Sequence, residues 1–281
     1  MALIVPAYAK LNLTLDVTGR RANGYHEIDS VMQTISLHDL VCVERTDCRV
    51  FDVVGPAVRG ENLVLKAARE LEGHVGRALP FTIRLFKRIP MGAGLGGGSA
   101  DAAAFLRAAV LLYDLPIADD ALIELATAVG QDVPFFLRGG TARATGLGST
   151  VAPLPDLPAS WRFVVVCPPV EVATRTVYEA VDGGAPSAHR TPALAARLTA
   201  AGPIEAQTFG NDLEVTARRL FPSLGEAVDP LLASVPGLQM SGSGAAFFAG
   251  FPTDRPARDA LQAAQRGGAT AWLCRPVPAW R

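Results

Sequence analysis

The sequence predicts an α+β protein in two lobes, residues 1–152 and 153–281. Its first half mixes β-prone runs with helical patterns. Residues 151–160, VAPLPDLPAS, then interrupt the patterning with three prolines in ten positions, which reads as a linker. Beyond it the order is strand, helices, hairpin, helix and strand, the order of a small α+β domain.

The elements follow in turn. Residues 2–16 and 41–54 are apolar and β-prone, and 81–87 (FTIRLFK) alternate with Phe81, Ile83 and Leu85 on one face, so all three predict strands. Residues 62–72 carry helical spacing behind Asn62, a plausible N-cap. Residues 99–113 (SADAAAFLRAAVLLY) are apolar nearly all round, which predicts a buried helix. Residues 119–129 form another, which Gly130 can end. In the second half, RFVVVCPP reads as a buried strand. LEVTARRLF and SLGEAVDPLLASV read as helices, the second bent or broken at Pro230. GLQMSGSGAAFFAGF predicts two short strands around a glycine turn, DRPARDALQAAQR a helix and GATAWLCRPV a last strand. Residues 183–203, rich in Ala, Gly and Pro, predict an insertion or mobile segment.

The totals exclude several classes. With 281 residues, a core needs no covalent staple. Twenty-six basic against 27 acidic residues give no sign of a nucleic-acid or polyanion surface, though local basic groups can still hold phosphates. Cys42, Cys48, Cys167 and Cys274 lack CxxC spacing and read as reduced thiols. The start MALIVPAYAKLNL has no signal-peptide pattern, and no run approaches the ~20 apolar residues of a membrane helix. A cytoplasmic protein is expected, with neither membrane nor nucleic acid as partner.

The sharpest feature is the run Pro90, Met91, Gly92, Ala93, Gly94, Leu95, Gly96, Gly97, Gly98, Ser99, Ala100. A strand precedes it and a helix follows. Glycines let the backbone approach a ligand, and a helix N-terminus presents unpaired N–H groups at a positive dipole end, so the run predicts a phosphate cradle. Ser99 either caps the helix or touches a phosphate or its metal. Gly92, Gly94 and Gly97 also match the dinucleotide fingerprint, but the helix leads to a second helix, not to a strand, so that reading fails. No Gly-Lys-Ser/Thr follows, which excludes the Walker loop.

Asp132, in GQDVPFF, sits at a turn among apolar residues. It is either a carboxylate that accepts a hydroxyl proton during phosphoryl transfer or a turn Asp bonding its own backbone. Lys10 interrupts an apolar strand; pointing inward it needs a carboxylate partner, and Asp132 is the one to test. Tyr25 and His26 follow a turn signal, where an aromatic beside an imidazole can stack on and hydrogen-bond a base. Ser241-Gly-Ser-Gly244 is a second compact glycine turn, a ligand contact or simply a hairpin end.

In this order the pieces resemble the GHMP kinase superfamily, named for galactokinase, homoserine, mevalonate and phosphomevalonate kinases. The resemblance spans nearly the whole chain: PAYAKLNL at 6–13, the glycine run to Ala103, GQDVPFF, NDLE at 211–214 and MSGSGAAFF at 240–248. The opening with Tyr25-His26, the Gly-Leu-Gly-Gly-Gly-Ser loop and Gly-x-Asp-Val-Pro choose the branch acting on a cytidine-diphosphate-linked methylerythritol. That resemblance implies an N-terminal lobe of ribosomal-protein type, a ferredoxin-like C-terminal lobe and an active site in the cleft between them. It implies transfer of the γ-phosphate of ATP to the substrate's tertiary 2-hydroxyl, with magnesium, in non-mevalonate isoprenoid synthesis. Asp132 would be the base and Lys10 its electrostatic partner. Residues 90–100 would hold ATP, with Asn62 near the nucleotide. Asn12, Tyr25, His26 and Tyr178 would hold the substrate, the tyrosines sandwiching the cytosine. Magnesium would be held through ATP, Ser99 and water. No obligate protein partner is implied. Another GHMP kinase or a noncatalytic nucleotide-binding module are the alternatives; Tyr25-His26 disfavours the first, and the presence of both Lys10 and Asp132 the second.

Overall fold

The computed structural model describes residues 1–56, 61–181 and 189–280. Its first sheet grows from one long hairpin. β1 (Ala2–Arg20) and β2 (His26–Arg45) pair antiparallel along nearly their full length, turning at Gly24 with φ 87°. Successive strand residues face opposite sides. Ala9, Leu11 and Leu13 therefore enter a core shared with Phe163, Val165 and Phe248 of the second sheet, while Lys10 and Asn12 face a cavity.

A parallel crossover follows: β3 (Val50–Val54), α1 (Leu63–Val75) and β4 (Phe81–Phe86). The strand expected over 41–54 is thus the end of β2, a break and β3. After the glycine run come α2 (Gly97–Tyr113), α3 (Asp119–Val129) and α4 (Val133–Arg138), then β5 (Thr141–Gly146) and β6 (Thr150–Leu154). β4 pairs with residues 40–45 of β2 and β5 with residues 28–33. The alanine-rich α2 is buried on almost every side, as its composition requires.

β7 (Arg162–Cys167) opens the second sheet. After it come α5 (Thr174–Ala180), α6 (Arg190–Thr199), β8 (Gly210–Asn211), α7 (Leu213–Leu220) and α8 (Pro222–Leu232). β9 (Gln239–Met240), β10 (Phe247–Phe251), α9 (Asp254–Arg266) and β11 (Thr270–Cys274) complete it. The order β11-β7-β10-β9, all antiparallel, is the ferredoxin-like one.

Three expectations need correction. Of the segment expected to be mobile, 183–188 lie outside the described residues, while 190–199 form α6. That helix buries Leu194 and Leu198, and its first amides, Arg190 and Thr191, donate to Asp16 of β1 at 3.2 and 2.8 Å. Pro230 does not divide α8, which runs on to Leu232; the proline forgoes its own backbone bond to the carbonyl four residues back without ending the helix. Nor does a proline linker cover all of 151–160, since 151–154 belong to β6. The sheets also interlock: β8 pairs with β1 of the first sheet, and Pro276 and Ala279 bridge to Ile35 and Gly139.

Candidate active site

A cavity of about 710 Å³ opens between the two sheets' loops. It brings together Lys10, Asn12, Tyr25, His26, Gly94, Gly96, Asp132 and Tyr178, drawn from positions up to 168 residues apart.

Lys10 is 4% exposed. Its ammonium bonds Asn12 Oδ1 and lies 3.8 Å from Asp132 Oδ2. Asn12 cannot turn its amide the other way. Its Nδ2 donates to Ser30 Oγ at 2.7 Å, and Ser30 spends its own proton on the Thr14 carbonyl at 2.6 Å. Burial pulls the Lys10 pKa down; the Asp132 charge opposes that fall. An ammonium with one donor on Asn12 and an ion-pair partner at 3.8 Å keeps a hydrogen for an anionic ligand.

Asp132 occupies the N-cap position of α4, yet its side chain makes no cap bond. The turn-forming role open to it from sequence is therefore unfilled. Buried Phe135 and Phe136 anchor the helix behind it, and its carboxylate faces the cavity.

The glycine loop is held from beneath. Ala93 and Leu95 bury their side chains, and their carbonyls accept from Ala246 N and Lys10 N, both at 3.0 Å. With carbonyls turned into the protein, the opposite side of the loop is left for N–H groups, the arrangement of an anion nest. A Cβ at Gly94 (φ 73°) would come 3.0 Å from the Gly244 carbonyl oxygen, which is backbone and cannot yield. A Cβ at Gly96 (φ 71°) would meet the Phe136 ring at 2.6 Å. The Ser241–Gly244 turn therefore packs on the loop. Asn211 clamps that turn through Nδ2 bonds to the Met240 and Gly242 carbonyls at 2.9 and 2.6 Å, while its Oδ1 caps α7 at Leu213 N.

At the far end His26 is buried beside Tyr178, with ring centroids 5.9 Å apart. Burial and the Arg20 charge lower its pKa, against a hydrogen bond to the Val181 backbone. The ring is therefore neutral near pH 7. Its Nε2 is buried without a partner. Burial, then the Asp132 charge, pushes the Tyr178 hydroxyl pKa up. Tyr25 is 64% exposed on the cavity rim.

Several expected residues lie elsewhere. Asn62 caps α1, accepting from Val64 N at 2.9 Å, and does not line the cavity. Ser99 is not the cap of α2; Gly96 is, and Ser99 stands in the first turn. Met91 points to solvent and Ala100 is buried behind the loop. Pro90, Gly92, Gly97 and Gly98 belong to the loop but not to the cavity wall. Ser30 supports the site without a local signature that singles it out, its partners on β1 lying 16 and 18 residues away; Ser241 and Asn211 fall in runs the sequence marks, but their bonds to Asn12 N and the Met240 carbonyl, 229 and 29 residues away, could not be read from them.

Residues 62–140 match the GHMP kinases N terminal domain. The chain is 38% identical to 4-diphosphocytidyl-2-C-methyl-D-erythritol kinase of Carboxydothermus hydrogenoformans over 88% of each. The chain belongs to the 4-diphosphocytidyl-2-C-methyl-D-erythritol kinase family. The relative from Paramagnetospirillum magneticum is likewise 38% identical, over 97% of each chain. A crystal structure of 4-(cytidine 5'-diphospho)-2C-methyl-D-erythritol kinase superposes with a TM-score of 0.80 at 38% identity, covering 98% of this chain and 99% of the other. Homoserine kinase from Cytophaga hutchinsonii, at 18% identity and TM-score 0.73, shares the fold. Like the family's other members, this diphosphocytidyl-methylerythritol kinase relative is an ATP-dependent small-molecule kinase.

Proposed function

We propose that the protein transfers the γ-phosphate of ATP to the tertiary 2-hydroxyl of 4-diphosphocytidyl-2-C-methyl-D-erythritol, in the non-mevalonate route to isoprenoid precursors. The observation that carries this reading is the pairing, in one cavity, of an uncapped Asp132 beside Lys10 with a neutral His26 whose Nε2 lacks a partner. A cytosine offers its amino N–H to such an acceptor, and a uracil cannot. Tyr25 and Tyr178 provide aromatic faces for the same base.

Asp132 accepts the hydroxyl proton as that oxygen bonds the γ-phosphorus; the bond to the β-phosphate oxygen breaks and ADP leaves. Lys10, held by Asn12, places positive charge between carboxylate and phosphate and offsets the charge that gathers there. Residues 90–100 hold the triphosphate, with Asn62 supporting the adjoining helix. Among the described residues no group of three or more His, Cys, Asp or Glu stands where it could cage a metal. The reading therefore keeps magnesium on the ATP phosphates, with the Ser99 hydroxyl as the protein group available to it. Residues 1–152 form the ATP-binding and catalytic lobe, and 153–281 add one wall of the substrate site. No helix among the described residues is long and apolar enough to cross a membrane, and we place the enzyme in the cytoplasm, without an obligate protein partner.

The test is ADP release with magnesium-ATP and five acceptors: the cytidine compound, its uridine analogue, homoserine, mevalonate and galactose. Turnover with the cytidine compound and a marked loss with the uridine one are expected. Turnover with another acceptor alone would overturn the substrate. In the same assay Tyr25→Ala should raise KM for the cytidine compound by about 5- to 150-fold, the equivalent of the ~1–3 kcal/mol of a stacked base, with ATP affinity unchanged. Equal loss for both ligands would make Tyr25 a purely structural residue.

A further inference from the structure

One cluster of buried charges takes no part in the chemistry above. Lys87, just past β4, has a side chain 4% exposed and bonds Asp39 of β2 and Asp101 of α2, the latter at 2.7 Å. Asp39 is fully buried and accepts from the amides of Arg88 and Ile89, the latter at 2.8 Å. Those amides immediately precede the glycine loop, and Asp101 follows it. Both ends of the loop are thus tied to one ammonium. That ammonium lies directly beneath the start of α2, 3.4 Å from where a Cβ on Gly97 would stand.

We propose that the Asp39–Lys87–Asp101 cluster positions the glycine loop for the triphosphate of ATP, so that nucleotide affinity depends on it and the phosphoryl-transfer step does not. Three buried ions are a poor way to gain stability, because desolvation offsets their attraction. Burial first, then the Asp39 charge beside it, pushes the Asp101 carboxyl up to about 7 against Lys87's pull, and its Oδ1 is buried without a partner. Such a cluster does give geometry. Asp39 fixes the backbone at 88–89 through two amides, Lys87 spans the gap, and Asp101 holds α2 just past its first turn. The segment between has three glycines at positive φ and little rigidity of its own. Anchoring its ends is what holds a row of N–H groups in register with phosphate oxygens.

The inference rests on the loop being the ATP site, and the experiment separates the two. Hydrogen exchange of the wild-type protein, with and without a nonhydrolysable ATP analogue, should show protection at 92–99; its absence would reject the loop reading itself. With protection seen, Lys87→Met and Asp101→Ala should each raise the Kd of the analogue and the KM for ATP about tenfold or more, as displaced binding groups do, with kcat at saturating ATP within about threefold. KM for the cytidine substrate should not move. Asp101→Asn, which keeps an acceptor for Lys87, should restore most of the affinity lost in Asp101→Ala. Folded variants with unchanged nucleotide affinity would overturn the proposal. So would failure of both Lys87→Met and Asp101→Ala to fold, which would assign the cluster to stability.

Discussion

Asp132→Asn is expected to lower kcat by about 10²-fold or more while a nonhydrolysable ATP analogue binds as before. The substitution is nearly isosteric. It removes no helix cap, because the Asp132 side chain makes none, and the anchors of α4 are Phe135 and Phe136 behind it. The fold should therefore survive with little change in Tm. What is lost is the acceptor for the hydroxyl proton. A tertiary alcohol is a weak acid and a crowded nucleophile, so a positioned base matters more here than for a primary one. Single-turnover kinetics, with analogue titration on the same preparation, separate chemistry from binding. Near-normal turnover would remove Asp132 from the role of base and leave it only as Lys10's counter-charge.

Much of this architecture is legible in the chain, for local reasons. The alternation of 81–86 and the apolar surface of α2 each follow from a single window of sequence. The part that escapes reading depends on partners far away. Residues 26–40 of β2 are rich in polar groups and give no strand signal. In the structure Gln33 accepts from Thr141 and donates to the Val277 carbonyl, and Asp39 binds backbone at 88–89. Buried polar residues satisfied across 49 to 244 positions look, in sequence, like a loop. The start of α6 fails for the same reason: Asp16, 174 residues earlier, takes its first amides.

The site divides along the same line. Lys10 in an apolar strand and Asp132 among Val, Pro and Phe each leave a purely structural reading open in sequence, and it is the family resemblance that pairs them as cation and base. The glycine loop announced itself by density. Their relation to Asn12, Ser30 and the Ser241–Gly244 turn could not be read. Strand alternation shows which residues share a face, not which distant turn closes over it. Asn62 and Ser99 illustrate the converse. Both types serve as helix caps as readily as ligands, and in the structure Asn62 caps its helix while Ser99 does not.

Lys10→Met should lower kcat by about 10²- to 10³-fold, the range found when one preorganised charge or donor is removed from a transition state. It should also leave Tm unchanged or raised. A buried ammonium held at a desolvation cost is often replaced by an apolar chain of similar length without loss of stability. Asp132 keeps enough exposure, at 32% of its side chain, to stay hydrated alone. Lys10→Arg should fail to rescue. A Cβ on Gly96 would stand 3.1 Å from Lys10 Cγ and one on Gly242 3.3 Å from Nζ, so two glycines wall the lysine closely, and a longer, planar guanidinium cannot take the compact ammonium's place between Asn12 and Asp132. The pH profile gives the sign of the electrostatics. Because burial lowers the Lys10 pKa, the charged form is lost as pH rises through a value below the ordinary lysine range. Wild-type kcat should fall on that alkaline limb, and the limb should vanish from the residual activity of Lys10→Met. If the limb persisted, the titrating group would be another residue and Lys10 would be a structural support for Asn12.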